Sequence, residues 1–126
     1  MGLAVPWAMM ADSDTSTAVP MTPVPLADAA AVESFIGDHP RALVEFVTRG
    51  CGICASLEPV MTNVARAHPD LAVGVVDARD DPQLIDRYTI ASVPLLILFV
   101  DGDPRGRLAE GFQTGEAIDA FIDASV

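Results

Sequence analysis

Two cysteines lie close together in the stretch VEFVTRGCGICASLEP, which spans residues 44–59. Cys51 and Cys54 are the only cysteines of the chain, and a carboxylate residue, Glu45, lies in the apolar run that precedes them. Two thiols at this spacing can be buried without a role, supply two of the four ligands of a zinc ion, form a structural disulfide, or exchange a disulfide with another molecule. The surrounding sequence has to discriminate between these four interpretations.

Zinc binding and a structural disulfide both fit the pair poorly. A structural zinc ion takes four ligands, and neither His39, His68 nor the carboxylates have the paired spacing of metal ligands. We therefore expect no metal site. A disulfide that encloses only two residues restricts the unfolded chain very little, because the stabilisation grows with the length of the closed loop.

The position of Cys51 favours a redox pair. Gly50 and Gly52 open a turn between a predicted strand and a predicted helix, and Cys51 lies at this junction. A sulfur atom there faces the unpaired N–H groups and the positive end of the helix dipole, which stabilise a thiolate over a thiol. We therefore predict that Cys51 is the nucleophile. Cys54, one turn further along, can then attack the mixed disulfide and release the product.

The elements that position the pair alternate between helix and strand from residue 28 onward. Apolar residues at helical spacing predict helices in DAAAVESFIGDHP, CGICASLEPVMTNVARAH, DPQLIDRY and TGEAIDAFIDAS. Asp28 and Thr114 are predicted N-caps, and Pro59 should kink the second helix. The predicted strands are RALVEFV, DLAVGVVDA, VPLLILFV and RGRLAEGF. This order predicts an α/β fold with a central mixed sheet and helices on both faces.

Residues 1–27 differ in composition from the rest of the chain. Pro, Thr, Ser and Ala dominate there, and the apolar residues follow neither the strand nor the helix period. No Lys or Arg precedes Arg41, and Pro6 interrupts the apolar start, so the segment does not match a secretory signal. We predict a flexible N-terminal extension over residues 1–27 and a single domain over residues 28–126.

The charge of the chain argues against a nucleic-acid partner, and the length of its apolar runs argues against a membrane span. The formal net charge is −11, with 18 acidic residues against 7 basic ones. Such a surface repels phosphate backbones, so we expect no nucleic-acid partner. The apolar run VPLLILFV, residues 93–100, is far shorter than the roughly 20 residues of a membrane span. We expect no membrane span and interpret this run as a buried strand.

From about residue 28 to residue 126 the sequence resembles a thioredoxin. VEF followed by CGIC resembles the strand and active-site signature of that family, and Pro59 falls where the family kinks its redox helix. The SVP that ends at Pro94 matches the family's cis-proline loop, and Gly111 matches a glycine of its substrate groove. The resemblance implies a thioredoxin fold with four to five strands, dithiol–disulfide exchange with protein substrates, and no cofactor.

The resemblance also implies a role for each site residue. Cys51 would be the attacking thiol, Cys54 the resolving thiol, and Glu45 a buried acid that takes the proton from Cys54. In a central strand Glu45 would be poorly solvated, and desolvation raises the pKa of a carboxyl group. The alternative is an edge strand from which Glu45 faces water. The residues implied to contact substrate are Gly50, Gly52, Ile53, Val93, Pro94 and Gly111, with a cis bond between Val93 and Pro94.

Four positions depart from the family pattern. The Trp before the first cysteine is Gly50 here, and the aromatic residue three positions earlier is Val47. The Pro between the cysteines is Ile53, and the Lys near the buried acid is Val75. Without that cation a raised pKa of Glu45 is expected. In this family the absence of the Pro shifts the pair toward a more oxidising potential.

Three functional hypotheses follow. The leading one is a thiol–disulfide oxidoreductase that acts in the cytoplasm as a monomeric reductant of selected proteins, with a thioredoxin reductase as a candidate electron donor. The second is a redox-inactive adaptor or chaperone-like binding module with the same fold. The third is an exported oxidant, which requires the N-terminal extension to direct secretion.

Overall fold

A computed structural model of the chain describes residues 19–125. Of the flexible extension predicted over residues 1–27, residues 1–18 lie outside this range. The described elements are, in order, β1 (Val24–Leu26), α1 (Ala29–Asp38), β2 (Arg41–Val47), α2 (Gly52–Ala67), β3 (Ala72–Asp77), α3 (Pro82–Tyr88), β4 (Leu95–Val100), β5 (Asp103–Leu108) and α4 (Gly115–Ala124). Each helix and strand predicted from residue 28 onward is present, and both predicted N-caps are confirmed.

The strands form one mixed sheet with the order β1-β3-β2-β4-β5. Strand β3 pairs in parallel with both β1 and β2, whereas β4 pairs antiparallel with both β2 and β5. Strand β2 is therefore the centre of the sheet, with β3 on one side and β4 on the other. In this register Glu45 lies opposite Val75 of β3 and Leu96 of β4.

Two hydrophobic layers cover the two faces of the sheet, because successive side chains of a strand point to opposite faces. Val44 and Phe46 of β2 pack in the layer that contains residues of α1 and α3. Leu43 packs in the other layer, which contains residues of α2 and α4. Glu45 has the same parity as Leu43, so its carboxyl group lies on the face that α2 covers. The predicted mixed sheet with helices on both faces is confirmed.

Two strand predictions need correction, and both concern the edges of the sheet. No strand was predicted before residue 28, yet β1 pairs with β3 along Val24–Leu26. Its proline, Pro25, suppresses a strand pattern in the sequence, but a residue without an N–H group is tolerated at a sheet edge. Strand β5 was predicted over residues 105–112 but spans Asp103–Leu108 and includes Pro104, again at an edge.

Asp81 caps two helices at once. Its Oδ1 atom accepts a hydrogen bond from the backbone N–H of Gln83 in α3 at 3.0 Å. Its Oδ2 atom accepts one from the backbone N–H of Ala29, the first residue of α1, at 2.9 Å. These hydrogen bonds, the one from Ala29 most strongly, hold the pKa of the Asp81 carboxyl group below its usual value. The carboxylate therefore joins two helices that are distant in sequence.

The substitution Asp81→Ala should lower the melting temperature at pH 7 by roughly 4–8 °C, as expected for the loss of a helix cap in a domain of about 100 residues. Because the folded-state pKa is depressed, the contribution of Asp81 is present above its unfolded pKa and lost as the pH falls through the folded one. The difference from the unmodified protein should therefore shrink at low pH. Calorimetry at pH 7 and pH 3 would test this, with Asp86→Ala on α3 as the control.

Candidate active site

Cys51 is the residue that caps helix α2. Its Sγ atom accepts a hydrogen bond from the backbone N–H of Cys54 at 3.1 Å. Gly50, the preceding residue, has a φ of 83°, a backbone conformation that glycine adopts without steric cost. The turn that Gly50 opens therefore delivers the sulfur atom of Cys51 to the N-terminus of a helix of 16 residues. The predicted position of Cys51 is confirmed.

Cys51 and Cys54 are joined by a disulfide bond, with their Cα atoms 5.2 Å apart. This separation is within the usual range for disulfides, about 4.4–6.8 Å. The two residues differ in accessibility, since Cys51 is half-buried and only 5% of Cys54 is exposed. An incoming molecule can therefore approach Cys51 more readily than Cys54.

Glu45 is buried in the central strand, with 3% of the residue exposed. Its Oε2 atom has no hydrogen-bond partner among the described residues. The alternative in which β2 is an edge strand and Glu45 faces water is therefore wrong. A buried polar atom without a partner is costly to the fold, and such atoms in native proteins often belong to groups with a functional role.

Burial is the main cause of an unusual acidity at Glu45. The pKa of Glu45 is raised from 4.5 to about 7. Loss of solvation is the larger cause of this rise, and the negative charge of Glu58 on α2 is the smaller one. Val75, which lies opposite Glu45 in the register, supplies no cation to hold the carboxylate ionised. A carboxyl group with a pKa near the working pH can both accept and donate a proton.

One cavity of about 260 Å³, which we call the cysteine cavity, brings the predicted catalytic residues together. Cys51, Cys54 and Glu45 all line it, as does Gly50. Glu45 therefore faces the same space as the two sulfur atoms. Within residues 19–125, no group of three or more His, Cys, Asp or Glu side chains is placed to hold a metal ion.

Charged residues that the sequence interpretation missed also line the cysteine cavity. The guanidinium group of Arg49 lies 2.9 Å from Asp80 and 3.6 Å from Asp77, and the backbone N–H of Arg49 donates to Asp77 at 2.9 Å. Arg49 follows the end of β2, and Asp77 is the last residue of β3. Because these parallel strands end at the same edge of the sheet, the pair could have been predicted. Glu58 of α2 is the third missed residue.

The loop that contains Val93 and Pro94 lies at the same end of the sheet as Cys51. Leu95, the next residue, pairs with Phe46 near the end of β2, and the peptide bond between Val93 and Pro94 is cis, as predicted. Val93 lines a neighbouring cavity of about 210 Å³ together with Thr48, and Thr48 also lines the cysteine cavity. Pro94 itself is buried.

The other predicted substrate residues lie on either side of this region in the sequence. Gly52 and Ile53 form the first turn of α2, and Ile53 leaves 49% of its surface exposed. Gly111 lies between β5 and α4 with a φ of 78°, and it does not line the cysteine cavity. No helix among residues 19–125 is both long enough and apolar enough to cross a membrane.

Comparison with known proteins agrees with this geometry. A family model for thioredoxin matches residues 24–124. A thioredoxin of Alicyclobacillus acidocaldarius is 35% identical over 98 residues, which cover 77% of this chain and 91% of that protein. One of Mycobacterium tuberculosis is 31% identical over 100 residues, covering 79% and 82%.

Solved structures give the same result. A mutant thioredoxin from Halobacterium salinarum superimposes with a TM-score of 0.78 at 29% identity, covering 86% of this chain and 94% of that one. The oxidised mitochondrial thioredoxin 3 of Saccharomyces cerevisiae shares the fold, with a TM-score of 0.72. With its cysteine pair joined at the start of α2, the chain belongs to the thioredoxin family of thiol–disulfide oxidoreductases.

Proposed function

We propose that the chain is a reductant of protein disulfides in which Cys51 attacks the substrate and Cys54 resolves the mixed disulfide. The observation that carries this assignment is the asymmetry of the pair. The sulfur of Cys51 lies at the N-terminus of α2 in a half-buried residue, whereas Cys54 is buried in the cavity that Glu45 lines. A helix N-terminus stabilises a thiolate, which is the nucleophilic form.

The reaction transfers two electrons in two steps. In the first step the Cys51 thiolate attacks one sulfur of the substrate disulfide, whose S–S bond breaks, and the other substrate sulfur leaves as a thiolate. In the second step Cys54 loses its proton and attacks the Sγ atom of Cys51. The bond between Cys51 and the substrate breaks, and the second substrate sulfur leaves as a thiolate. The protein ends as the disulfide form.

Glu45 serves the second step as a general base. Its ionised form accepts the proton of Cys54 as the Cys54 sulfur attacks, and its raised pKa makes the carboxylate basic enough to do so near neutral pH. Both residues line the cysteine cavity, which supports this assignment.

The substrate contacts Gly50, Gly52 and Ile53 on one side of the sulfur atoms. Ile53 offers an exposed apolar side chain next to Cys54, suited to an apolar residue of the substrate. Val93 beside Pro94 offers backbone groups to an extended substrate segment, in the manner of strand addition. By the family resemblance, Gly111 in the segment before α4 is the remaining substrate contact.

A reductant needs a compartment that keeps thiols reduced, so we place the protein in the cytoplasm. A thioredoxin reductase is the electron donor that fits a thioredoxin dithiol, and the protein acts as a monomer. The direction of electron flow depends on the reduction potential of the pair relative to its compartment. That potential is measured by equilibrating the protein with glutathione buffers, and a value well above the cytoplasmic range would instead indicate an oxidant.

Insulin reduction tests the proposed function directly. With dithiothreitol as electron donor, the protein should accelerate the precipitation of reduced insulin well above the rate of dithiothreitol alone. The variant Cys51→Ser should show only that background rate, because it lacks the attacking thiol. Equal rates with and without the unmodified protein would support the adaptor alternative, in which the cysteines take no part in turnover.

A further inference from the structure

Glu45 faces a second cavity on the side of the sheet that α2 covers. This cavity of about 330 Å³, which we call the carboxyl cavity, is lined by Thr22 before β1 and by Met61 of α2, among others. It shares three lining residues with the cysteine cavity, namely Glu45, Glu58 and Val75. The two cavities therefore meet at the two carboxyl groups.

Glu58 is the exposed residue among the three that line both cavities. It lies four residues after Cys54, hence on the same face of α2. The residue is exposed, unlike Glu45, and its side chain forms no ion pair with any residue in the range 19–125. Glu58 is thus an exposed carboxyl group that lines the same two cavities as Glu45.

The other groups around Glu45 cannot replace Glu58 in this position. In the register β3 presents Val75 and β4 presents Leu96, neither of which titrates. The remaining charged side chains of the cysteine cavity, Arg49 and Asp77, are engaged with each other. Among the described residues that line these cavities, Glu58 is therefore the titratable group best placed to exchange protons with Glu45.

We infer that Glu58 relays the proton between Glu45 and solvent through the two connected cavities. In the resolving step Cys54 transfers its proton to the Glu45 carboxylate, and the Cys51–Cys54 bond forms as substrate thiolate leaves. The neutral Glu45 then passes the proton to the Glu58 carboxylate, which releases it to water. This restores the ionised Glu45 for the next cycle. The inference rests on the proposed function, because it assigns a path for the proton that Cys54 loses.

The Oε2 atom of Glu45 gives independent support for this path. It is buried without a hydrogen-bond partner among the described residues, so no protein group is in direct hydrogen-bond contact with this oxygen. A cavity of the carboxyl cavity's volume can hold several water molecules. Water between Glu45 and Glu58 would both satisfy this atom and carry the proton.

Buffer rescue of Glu58→Ala tests the relay. The resolving step is followed in a single turnover at pH 6, where most Glu45 starts neutral and must first lose its proton along the relay before it can accept the one from Cys54. The signal is release of a chromogenic thiol from the mixed disulfide, at low and high imidazole concentrations. At low buffer the variant should be about 3- to 10-fold slower than the unmodified protein, less than the roughly 10²–10⁴-fold that a direct acid–base catalyst supplies. Imidazole should restore the rate in proportion to its concentration.

Three comparison variants make the result specific. Glu116→Ala removes an equal charge from the first turn of α4 and should leave the rate unchanged. Glu58→Asp should keep most of the rate, whereas Glu45→Gln should be slow without rescue. A Glu58→Ala rate equal to that of the unmodified protein at low buffer, or a slow rate that imidazole leaves unchanged, would overturn the relay. Failure of the proposed function is distinguishable, because no mixed disulfide would then form in any variant.

Discussion

The substitution Cys54→Ser should stop turnover and leave the substrate covalently attached to Cys51. The attacking sulfur remains at the N-terminus of α2, so the first step still proceeds. The second step requires a sulfur at residue 54, and a serine hydroxyl cannot form the disulfide that releases the product. Insulin reduction should fall to the rate of dithiothreitol alone, and mass spectrometry should detect a mixed disulfide at Cys51.

The matched control is Cys51→Ser, in which only the buried cysteine remains. Because just 5% of Cys54 is exposed, this variant should accumulate little adduct under the same conditions. Adduct on Cys54 at a yield equal to that on Cys51 would show that the two roles are not separated as assigned. Both variants should be compared by circular dichroism, so that loss of adduct is not mistaken for loss of fold.

The substitution Glu45→Gln should stabilise the disulfide form of the protein at alkaline pH. A rise of the pKa from 4.5 to about 7 corresponds to about 3 kcal/mol. Because the folded-state pKa lies above the unfolded one, the folded protein binds more protons between these values, and stability falls as the pH rises from about 4.5 to 7. Above that window the full cost of the buried charge remains.

Glutamine has a similar shape and no charge, so it removes this cost. Urea denaturation should therefore show the variant more stable than the unmodified protein by up to about 3 kcal/mol at pH 8, with a much smaller difference at pH 4.5. Glu116→Gln, an exposed residue of α4, should show no such pH dependence. An equal effect of Glu45→Gln at both pH values would contradict a buried titrating carboxyl group. We therefore expect Glu45→Gln to raise the free energy of unfolding and to remove the group proposed to accept the proton of Cys54.

The parts of the site that could be predicted from the sequence are those that local structure determines. The turn at Gly50 and the helical spacing after Cys51 predict the first sulfur at a helix start, and Cys51 is indeed the N-cap of α2. The burial of Glu45 was also predictable, although only through the interpretation of its strand as central. Glu45 lies opposite Val75 in the sheet. Val75 is the residue that occurs in the sequence in place of the family's lysine.

The parts that escaped prediction depend on contacts between distant elements. Glu58 reads in the sequence as one exposed residue of an amphipathic helix, and only the packing of α2 on the sheet brings it to the same cavities as Glu45. Asp81 was not predicted as a cap, and its hydrogen bond to Ala29 joins residues 52 positions apart. Strand β1 has three residues and a proline, too little for a period to be visible.

The prolines at the two borders of the sheet have a consequence for self-association. An open border offers a row of N–H and C=O groups to which another chain can add, which is a common start of aggregation. Pro25 interrupts that row in β1, and Pro104 interrupts it in β5, where Arg105 and Arg107 add charge. Fibril-like stacking of folded molecules is thereby discouraged at both borders. Under the proposed function, an extended client pairs instead with the backbone at Val93, in the loop at the same end of the sheet as Cys51.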